Sequence, residues 1–259
     1  MLLTQIISLP ISILLFLWML RIKRDDPFPK GSVTSMLLTG GLCTLVATIL
    51  TLVFSILVVV ANFGLKDVIA VLADPASYES SDLAAKLRAG SGGPTLLGVF
   101  ISTFLMTALV EEGLKYLAMR LCLRREGVLK TRMDALVCGA IVGLAFQVLE
   151  DLTYASGDLV TAIFRAFTPF HLLFGAIMGY YYGKYAQSGK KIDGVLALLL
   201  PVLIHGFYDF GLKSLELGDM FFLLALLVLV LMLGLTVFMI VKIRRWSKKG
   251  TLSQPLETA

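Results

Sequence analysis

The sequence predicts an all-α fold, a polytopic membrane bundle of about seven transmembrane helices. Hydrophobic residues make up 58% of the 259 residues and the mean hydropathy is +0.88, which lies outside the usual range of a soluble globular chain. Long apolar runs recur along the chain, each near the roughly 20 residues that a helix needs to cross about 30 Å of hydrocarbon. None of these runs alternates with a period of two residues, which favours helices over a transmembrane barrel.

These apolar runs define the predicted spans of a single integral membrane domain covering residues 1–259. The spans are predicted at 2–20, 34–62, 95–122, 133–156, 166–186, 193–212 and 219–241. Basic residues follow the first run instead of preceding it. We therefore expect this run to be retained as an anchor and not removed as a signal peptide.

Most of the 23 lysines and arginines follow spans one, three, five and seven. These residues are Arg21, Lys23, Arg24, Lys30, Arg120, Arg124, Arg125, Lys130, Arg132, Lys184, Lys190, Lys191, Lys242, Arg244, Arg245, Lys248 and Lys249. The opposite side holds Lys66, Lys86, Arg88, Arg165 and Lys213. Because cytoplasmic loops are enriched in lysine and arginine, we expect a cell-membrane protein with its N-terminus outside and its C-terminus in the cytoplasm. The net charge of +5 is then explained by topology and contact with anionic lipid, and no nucleic-acid partner is expected.

The longest predicted connection covers residues 63–93 and is expected on the extracytoplasmic side. It has amphipathic stretches near 65–72 and 82–87, followed by a glycine-rich breaker that ends at Pro94. Such a segment can lie on the membrane surface or gate access to a site.

Span three contains two adjacent carboxylates, Glu111 and Glu112, with Lys115 one turn later. A charged side chain in mid-bilayer costs roughly 2.5–3.5 kcal/mol on insertion scales, so such residues indicate a functional site by default. The structural alternative is that Lys115 simply pairs with Glu111 at i,i+4 or with Glu112 at i,i+3. That pairing accounts for one carboxylate and leaves the second without a partner.

The chain's two histidines, His171 and His205, fall in spans five and six. Counted from the outer ends of their spans, both lie at a depth similar to that of Glu150 in span four, within about one helical turn. Glu111 is expected to lie deeper in the membrane. The sequence therefore predicts a shared polar site formed by several helices.

Small residues predict close approach of the helices that carry this site. Gly139 and Gly143 form a GxxxG pair in span four, and Gly175, Gly179 and Gly183 continue the same spacing in span five. Such glycine faces pack helices in many membrane proteins that have no active site. They support the predicted site without defining it.

Glu150, His171 and His205 are suitable ligands for a divalent metal such as zinc, with a fourth position left for water. Asp209, one turn after His205, could orient that imidazole or complete the coordination. Glu111 or Glu112 could then take a proton from the attacking water. In a metal-free alternative, Glu111 activates water directly while His205 and Asp209 stabilise the oxyanion. The residues alone do not decide between these mechanisms.

The same residues resemble the motifs of a known family, the PrsW intramembrane proteases, which are distantly similar to the type II CAAX-processing proteases. The four motifs are Glu111-Glu112-x-x-Lys115, Phe146-x-x-x-Glu150, His171 with the following glycines, and His205-Gly206-x-x-Asp209. They occur in the family's order on consecutive predicted helices, over roughly residues 100–212. Residues 94–212 are therefore expected to form the catalytic core.

The resemblance implies a protease that cleaves a membrane-anchored protein, in the best-known cases the outer part of an anti-sigma factor. It also implies that Glu111, Glu112, His171 and His205 are catalytic. One position departs from the family, which commonly has asparagine where this chain has Asp151. The aspartate adds a negative charge beside the predicted metal site.

Two other functions remain compatible with the sequence. A multipass scaffold or chaperone, similar to the scaffold subunit of gamma-secretase, would have the same architecture, although it could lose the glutamates and histidines that this chain keeps. An ion or proton transporter could use membrane glutamate, histidine and lysine side chains as a relay. Transporters usually show internal repeats and broken helices, and neither is evident in the sequence.

Overall fold

The computed structural model describes residues 9–63, 95–154 and 159–256, together with isolated positions at residues 7, 65, 66, 69 and 73. Within these residues the chain is helical, and its one β-type contact is an isolated bridge between Thr131 and Pro255. The predicted outer connection, 63–93, falls almost entirely outside the described residues. Its role as a gate stays a prediction.

Nine α-helices follow one another along the described chain. They are α1 (Leu9–Ile22), α2 (Ser32–Phe63), α3 (Leu96–Phe100), α4 (Leu109–Leu123), α5 (Arg132–Tyr154), α6 (Leu159–Phe167), α7 (Phe170–Ser188), α8 (Lys191–Lys213) and α9 (Phe222–Lys249). A π-helical segment, Ile101–Ala108, joins α3 to α4 without a break. Two 3₁₀ turns, Ser214–Leu217 and Asp219–Phe221, join α8 to α9.

Six helical stretches of the described chain are long and apolar enough to cross a membrane. They are Ser32–Leu57, Leu96–Leu123, Arg132–Thr153, Leu159–Ser188, Lys191–Leu217 and Asp219–Lys249. The predicted all-α membrane bundle is thereby confirmed, and each of the predicted spans two to seven corresponds to one of these stretches. Helix α1 has 14 residues, about 21 Å at 1.5 Å per residue, so the first span stays a prediction.

Helices α5 and α7 form the buried centre of the bundle. Side chains of α5 such as Leu136, Ile141 and Phe146 are almost fully enclosed, as are Leu172 and Phe174 of α7. By contrast, α2 and α9 expose many of their leucines and valines. Apolar side chains on the outside of a membrane bundle face lipid, so this pattern places α5 and α7 in the interior.

Glycines allow α5 and α7 to pack backbone against backbone, as the sequence predicts. A Cβ atom added at Gly139 would lie 2.2 Å from the carbonyl oxygen of Gly175, and one at Gly143 would lie 2.0 Å from that of His171. Both separations are far below van der Waals contact, so no larger residue fits without moving a helix. This contact fixes the position of His171 relative to α5.

The end of α5 opposite the candidate site is held by an ionic cluster. The buried side chain of Asp134 accepts hydrogen bonds from the backbone N–H groups of Lys130 and Thr131, at 3.0 and 2.7 Å. The Nζ atom of Lys23 lies 2.6 Å from Asp134 Oδ1 and 2.8 Å from Asp26 Oδ2. Hydrogen bonds from Lys130 and Lys23 hold the pKa of Asp26 below its ordinary value. The cluster ties the segment after α1 to the start of α5.

Candidate active site

The two adjacent glutamates of the site lie in the first turn of α4, directly after the π-helical segment. At that junction the N–H of Leu109 donates to the carbonyl of Phe104, five residues earlier. A π-type turn is wider than an α-turn and changes the register of the side chains that follow, and such turns are frequent at functional sites. Glu111 and Glu112, which follow this turn, are both buried.

Four buried side chains from three helices come together at one point. Glu111 and Glu112 of α4, His171 of α7 and His205 of α8 each offer a ligand atom, and these atoms all lie within 4.8 Å of one another. We call these four residues the Glu/His cluster. The structure thus brings together the four residues that the sequence predicts to be catalytic.

Lys115 places its ammonium group inside this cluster. Its Nζ atom lies 2.7 Å from Glu112 Oε1, 3.6 Å from Glu111 Oε2 and 3.9 Å from the ring centroid of Phe146. The same ammonium lies 2.7 Å from Nδ1 of His171. Since an ammonium only donates, Nδ1 accepts in this contact. Lys115 therefore contacts both glutamates, in contrast to the single pair of the structural alternative.

The ring of His171 is held from both sides. While Nδ1 accepts from Lys115, Nε2 donates to Glu150 Oε2 at 2.7 Å. The backbone N–H of His171 donates to the side-chain oxygen of Gln147 at 3.3 Å. A carboxylate behind an imidazole fixes the orientation of the ring and makes it a better ligand. Glu150 thus acts on His171 from the edge of the cluster.

His205 has a similar environment on α8. Its Nδ1 atom lies 2.8 Å from Glu112 Oε1, and its Nε2 atom lies 3.5 Å from Asp209 Oδ2, one turn further along the helix. The ring of Phe174 stacks on the imidazole with a centroid distance of 4.9 Å. Asp209 is therefore placed to orient His205, which is one of the two roles that the sequence allows for it.

The structure assembles a different metal set from the one that the sequence indicates. The sequence prediction takes Glu150, His171, His205 and Asp209 as ligands. In the structure the group that could hold a metal joins the two histidines to Glu111 and Glu112, while Glu150 and Asp209 each contact one histidine. The identity of the ligands stays a prediction, and this geometry favours a carboxylate of α4 over Glu150 and Asp209.

Arg165 is a site residue that the sequence reasoning misses. The structure places it on α6, where its guanidinium lies 2.7 Å from Glu150 Oε2 and 2.6 Å from Asp151 Oδ1. The side chain of Asp151 is fully buried, so its charge needs a partner, and Arg165 supplies one. This pairing compensates the negative charge that Asp151 adds beside Glu150. The one sequence signal that could have indicated this role is the position of Arg165, a single basic residue within two helical turns of His171.

A polar cavity of about 380 Å³ reaches the cluster. Its walls come from α2, the π-helical segment and α4 to α8. The lining residues are Thr44, Ala47, Thr48, Thr51, Thr107, Glu111, Phe146, Gln147, Glu150, Thr153, Arg165, Thr168, Phe170, His171, Phe174, His205, Tyr208, Asp209, Leu212 and Lys213. Glu111 lines this cavity and Glu112 does not. Of the two glutamates, a molecule in the cavity would therefore reach Glu111 before Glu112.

The cluster has the donor atoms that a divalent metal needs. Glu111 Oε2 and Glu112 Oε2 are buried without a hydrogen-bond partner among the described residues, and an unsatisfied buried carboxylate oxygen is costly. A cation held by Glu112 would satisfy its unpartnered oxygen, and Glu111 would then keep a free oxygen beside it. Carboxylate oxygens and imidazole nitrogens are also the ligands typical of catalytic zinc. The residues present fit a metal at this point.

Comparison with known proteins indicates the same chemistry. Residues 29–238 match the sequence model of a family described as "PrsW family intramembrane metalloprotease". The chain is 38% identical over 116 residues to "Protease PrsW" of Shouchella clausii (strain KSM-K16), covering 43% of this chain and 54% of that protein. It is 37% identical over 125 residues to "Protease PrsW" of Bacillus subtilis (strain 168), covering 46% of this chain and 57% of that protein.

A third relative, "Protease PrsW" of Clostridioides difficile (strain 630), is 32% identical over 123 residues, covering 43% of this chain and 51% of that protein. The chain thus spans about half the length of the curated relatives that it matches. No solved structure matches the chain.

Proposed function

The chain belongs to the PrsW family of intramembrane metalloproteases, and on this premise we propose that it hydrolyses a peptide bond of a membrane-anchored protein. The observation that carries the proposal is the buried Glu/His cluster at the end of a polar cavity. Hydrolysis needs water and a polarising group at one point inside an apolar bundle. The cavity gives water a path, and the cluster gives it a place to react.

Glu112, His171 and His205 are the proposed ligands of a divalent metal, with zinc as the expected ion. When bound, such an ion lowers the pKa of water and polarises the scissile carbonyl. Three protein ligands with one open position are typical of catalytic zinc sites. Glu112 suits this role because its Oε1 atom is already held by Lys115 and His205 while its Oε2 atom has no partner among the described residues.

Glu111 is the proposed general base. It lines the cavity, and its Oε2 atom is buried without a hydrogen-bond partner among the described residues. A carboxylate in that position can take the proton of an attacking water and pass it to the leaving amine. Lys115, 3.6 Å from the same oxygen, compensates its negative charge.

The substrate is proposed to be a single-span protein such as an anti-sigma factor, cut near the extracytoplasmic face of the cell membrane. The basic residues after spans one, three, five and seven support a cytoplasmic C-terminus and an outer N-terminus. In that orientation α6 and the start of α7 lie toward the outer side. Glu150, His171 and Arg165 would then lie in the outer half of the bilayer.

A cleavage assay tests this function. Full-length protein in liposomes is incubated with a library of single-span, membrane-anchored proteins, and wild type is compared with Glu111→Ala and His205→Ala. We expect wild type to cleave at least one member and both variants to lose that activity. A wild type that cleaves no member, or two variants that cleave as well as wild type, would favour the scaffold or transporter alternatives.

A further inference from the structure

Part of the cavity lining is formed by small side chains of α2, three of which carry a hydroxyl. Thr44, Ala47, Thr48 and Thr51 all line the cavity. The three threonines follow the spacing i, i+4, i+7, which places them on one face of the helix. We call them the threonine stripe. Bulkier side chains that line the same cavity include Phe170, Phe174 and Tyr208.

The threonine hydroxyls of this stripe keep the capacity to accept hydrogen bonds. Thr44 donates its hydroxyl hydrogen to the carbonyl of Phe146 at 3.0 Å, and Thr48 donates to the carbonyl of Thr44 at 2.9 Å. A hydroxyl that donates its one hydrogen still has lone pairs. These contacts also fix the rotamers of Thr44 and Thr48, so those two oxygens are held in place before any ligand arrives.

A peptide cut inside a bilayer needs such acceptors. A helical substrate shields its carbonyls by hydrogen bonding, so the scissile segment must unwind before water can attack it. Unwinding leaves backbone N–H groups without partners, which is costly wherever water is scarce. A row of acceptors in the same cavity as the Glu/His cluster would satisfy those groups.

We propose that the threonine stripe of α2 binds the unwound backbone of the substrate and holds it against the Glu/His cluster. This inference rests on the proposed protease function. The absence of large side chains at positions 44, 47, 48 and 51 allows a peptide backbone to come close to the helix. Recognition of backbone groups selects a segment that can unwind, whatever its side chains are.

The first test separates hydroxyl chemistry from shape. Thr48→Val and Thr51→Val remove a hydroxyl at nearly constant volume, and Thr48→Ser keeps the hydroxyl. The assay uses the library member that wild type cleaves fastest. We expect each valine variant to raise KM about threefold to tenfold while kcat changes little, because the lost hydrogen bond stabilises the bound substrate and the transition state equally. The serine variant should retain the KM of wild type.

Thr39→Val is the matched control. Thr39 lies on the same helix, outside the residues that line the cavity, and its hydroxyl donates to the carbonyl of Ser35 at 2.8 Å. The control should cleave as wild type does. An unchanged KM in Thr48→Val and Thr51→Val, or an equal rise in Thr39→Val, would overturn the inference and leave the protease function intact.

A second test does not depend on cleavage. The photoreactive residue benzoyl-phenylalanine is placed at position 48, 51 or 39 of the full-length Glu111→Gln protein, which is then irradiated with the same single-span library in liposomes. We expect cross-links from positions 48 and 51 and none from position 39. No cross-link at 48 or 51, or equal cross-linking at all three positions, contradicts the inference even if wild type cleaves the library.

Discussion

His171 shows how one residue acquires a defined state from its neighbours. Lys115 occupies its Nδ1 atom and Glu150 its Nε2 atom, each at 2.7 Å. Its ring also packs against Phe146 and Phe174, at centroid distances of 4.9 and 5.6 Å. Glu150 and the two aromatic rings fix the orientation of the imidazole, which is the kind of preorganisation that a catalytic site needs. A metal bound at Nδ1 would take the place of the Lys115 ammonium at that atom.

Arg165 gives a prediction at the scale of one residue. Arg165→Met should lower kcat/KM roughly tenfold to hundredfold, because Glu150 loses the partner that keeps it behind His171. Bound metal should remain, since the ion pairs of Arg165 with Glu150 and Asp151 do not involve the proposed ligands. Cleavage rates and metal content of the same purified sample measure both effects.

A second substitution separates the effect of the buried Asp151 charge from the effect of positioning Glu150. In Arg165→Met the buried Asp151 is left without its guanidinium partner, so adding Asp151→Asn should recover part of the lost activity by removing that charge. An Arg165→Met variant as active as wild type, or a double variant no better than the single one, would show that this contact does not position the site.

At this scale the sequence predicts some site residues and misses others. The glutamates and histidines can be found because charge is rare inside apolar runs, and only two histidines exist. Arg165 cannot be found in that way, because it lies near the end of an apolar run, where a basic residue is ordinary. Its role depends on the short helix α6 folding back onto Glu150 and Asp151, and the packing of that helix is not encoded in any local pattern.

At the scale of the element, the fifth span differs from its prediction for a clear reason. The predicted span, 166–186, starts after Arg165 because charge lowers local hydropathy. The structure instead has an apolar stretch from Leu159 to Ser188, divided into α6 and α7 near Pro169. Proline lacks the N–H that would continue the helix, and it disfavours helical geometry in the residue before it. The break allows α6 to bring Arg165 to the site.

The contact between α5 and α7 gives a prediction for a single glycine. Gly143→Ala would place a methyl group 2.0 Å from the carbonyl oxygen of His171, so α7 must shift and take His171 out of the cluster. We expect cleavage to fall at least about a hundredfold, since a displacement of about 1 Å at a catalytic group has an effect of that size.

Gly113→Ala is the control for this prediction. Gly113 lies beside Glu112, yet a Cβ atom there meets nothing within 4 Å among the described residues. Alanine should be tolerated, with the slight gain in helix stability that replacing glycine brings. Cleavage and thermal unfolding of both variants measure the difference. Equal activity of Gly143→Ala and Gly113→Ala would contradict the role given to this helix contact.

At the scale of the whole molecule, apolar length and basic asymmetry predict most of the fold. Spans two to seven correspond to helical stretches of the structure because hydropathy records which segments can lie in a bilayer. Hydropathy does not say which helices are central. That follows from the glycines of α5 and α7, whose close packing places both helices in the interior.

Topology is testable with engineered cysteines. The native residues Cys43, Cys122 and Cys138 are buried, so a membrane-impermeant maleimide should give little background. We expect Ser81→Cys, in the predicted outer connection, to be labelled in intact cells and Ser253→Cys only after the membrane is permeabilised. The reverse pattern would invert the proposed orientation, and labelling of both in intact cells would contradict an odd number of crossings between them.

The most direct test of the account is the metal content of purified protein, measured beside its cleavage activity. We predict about one zinc per wild-type chain, loss of the metal and the activity together in His171→Ala/His205→Ala, and retention of the metal in Glu111→Gln, which lacks the proposed base. Full metal content in the double histidine variant would contradict the proposed ligands. Undiminished cleavage by metal-free wild type would contradict the metal mechanism and favour direct activation of water by Glu111.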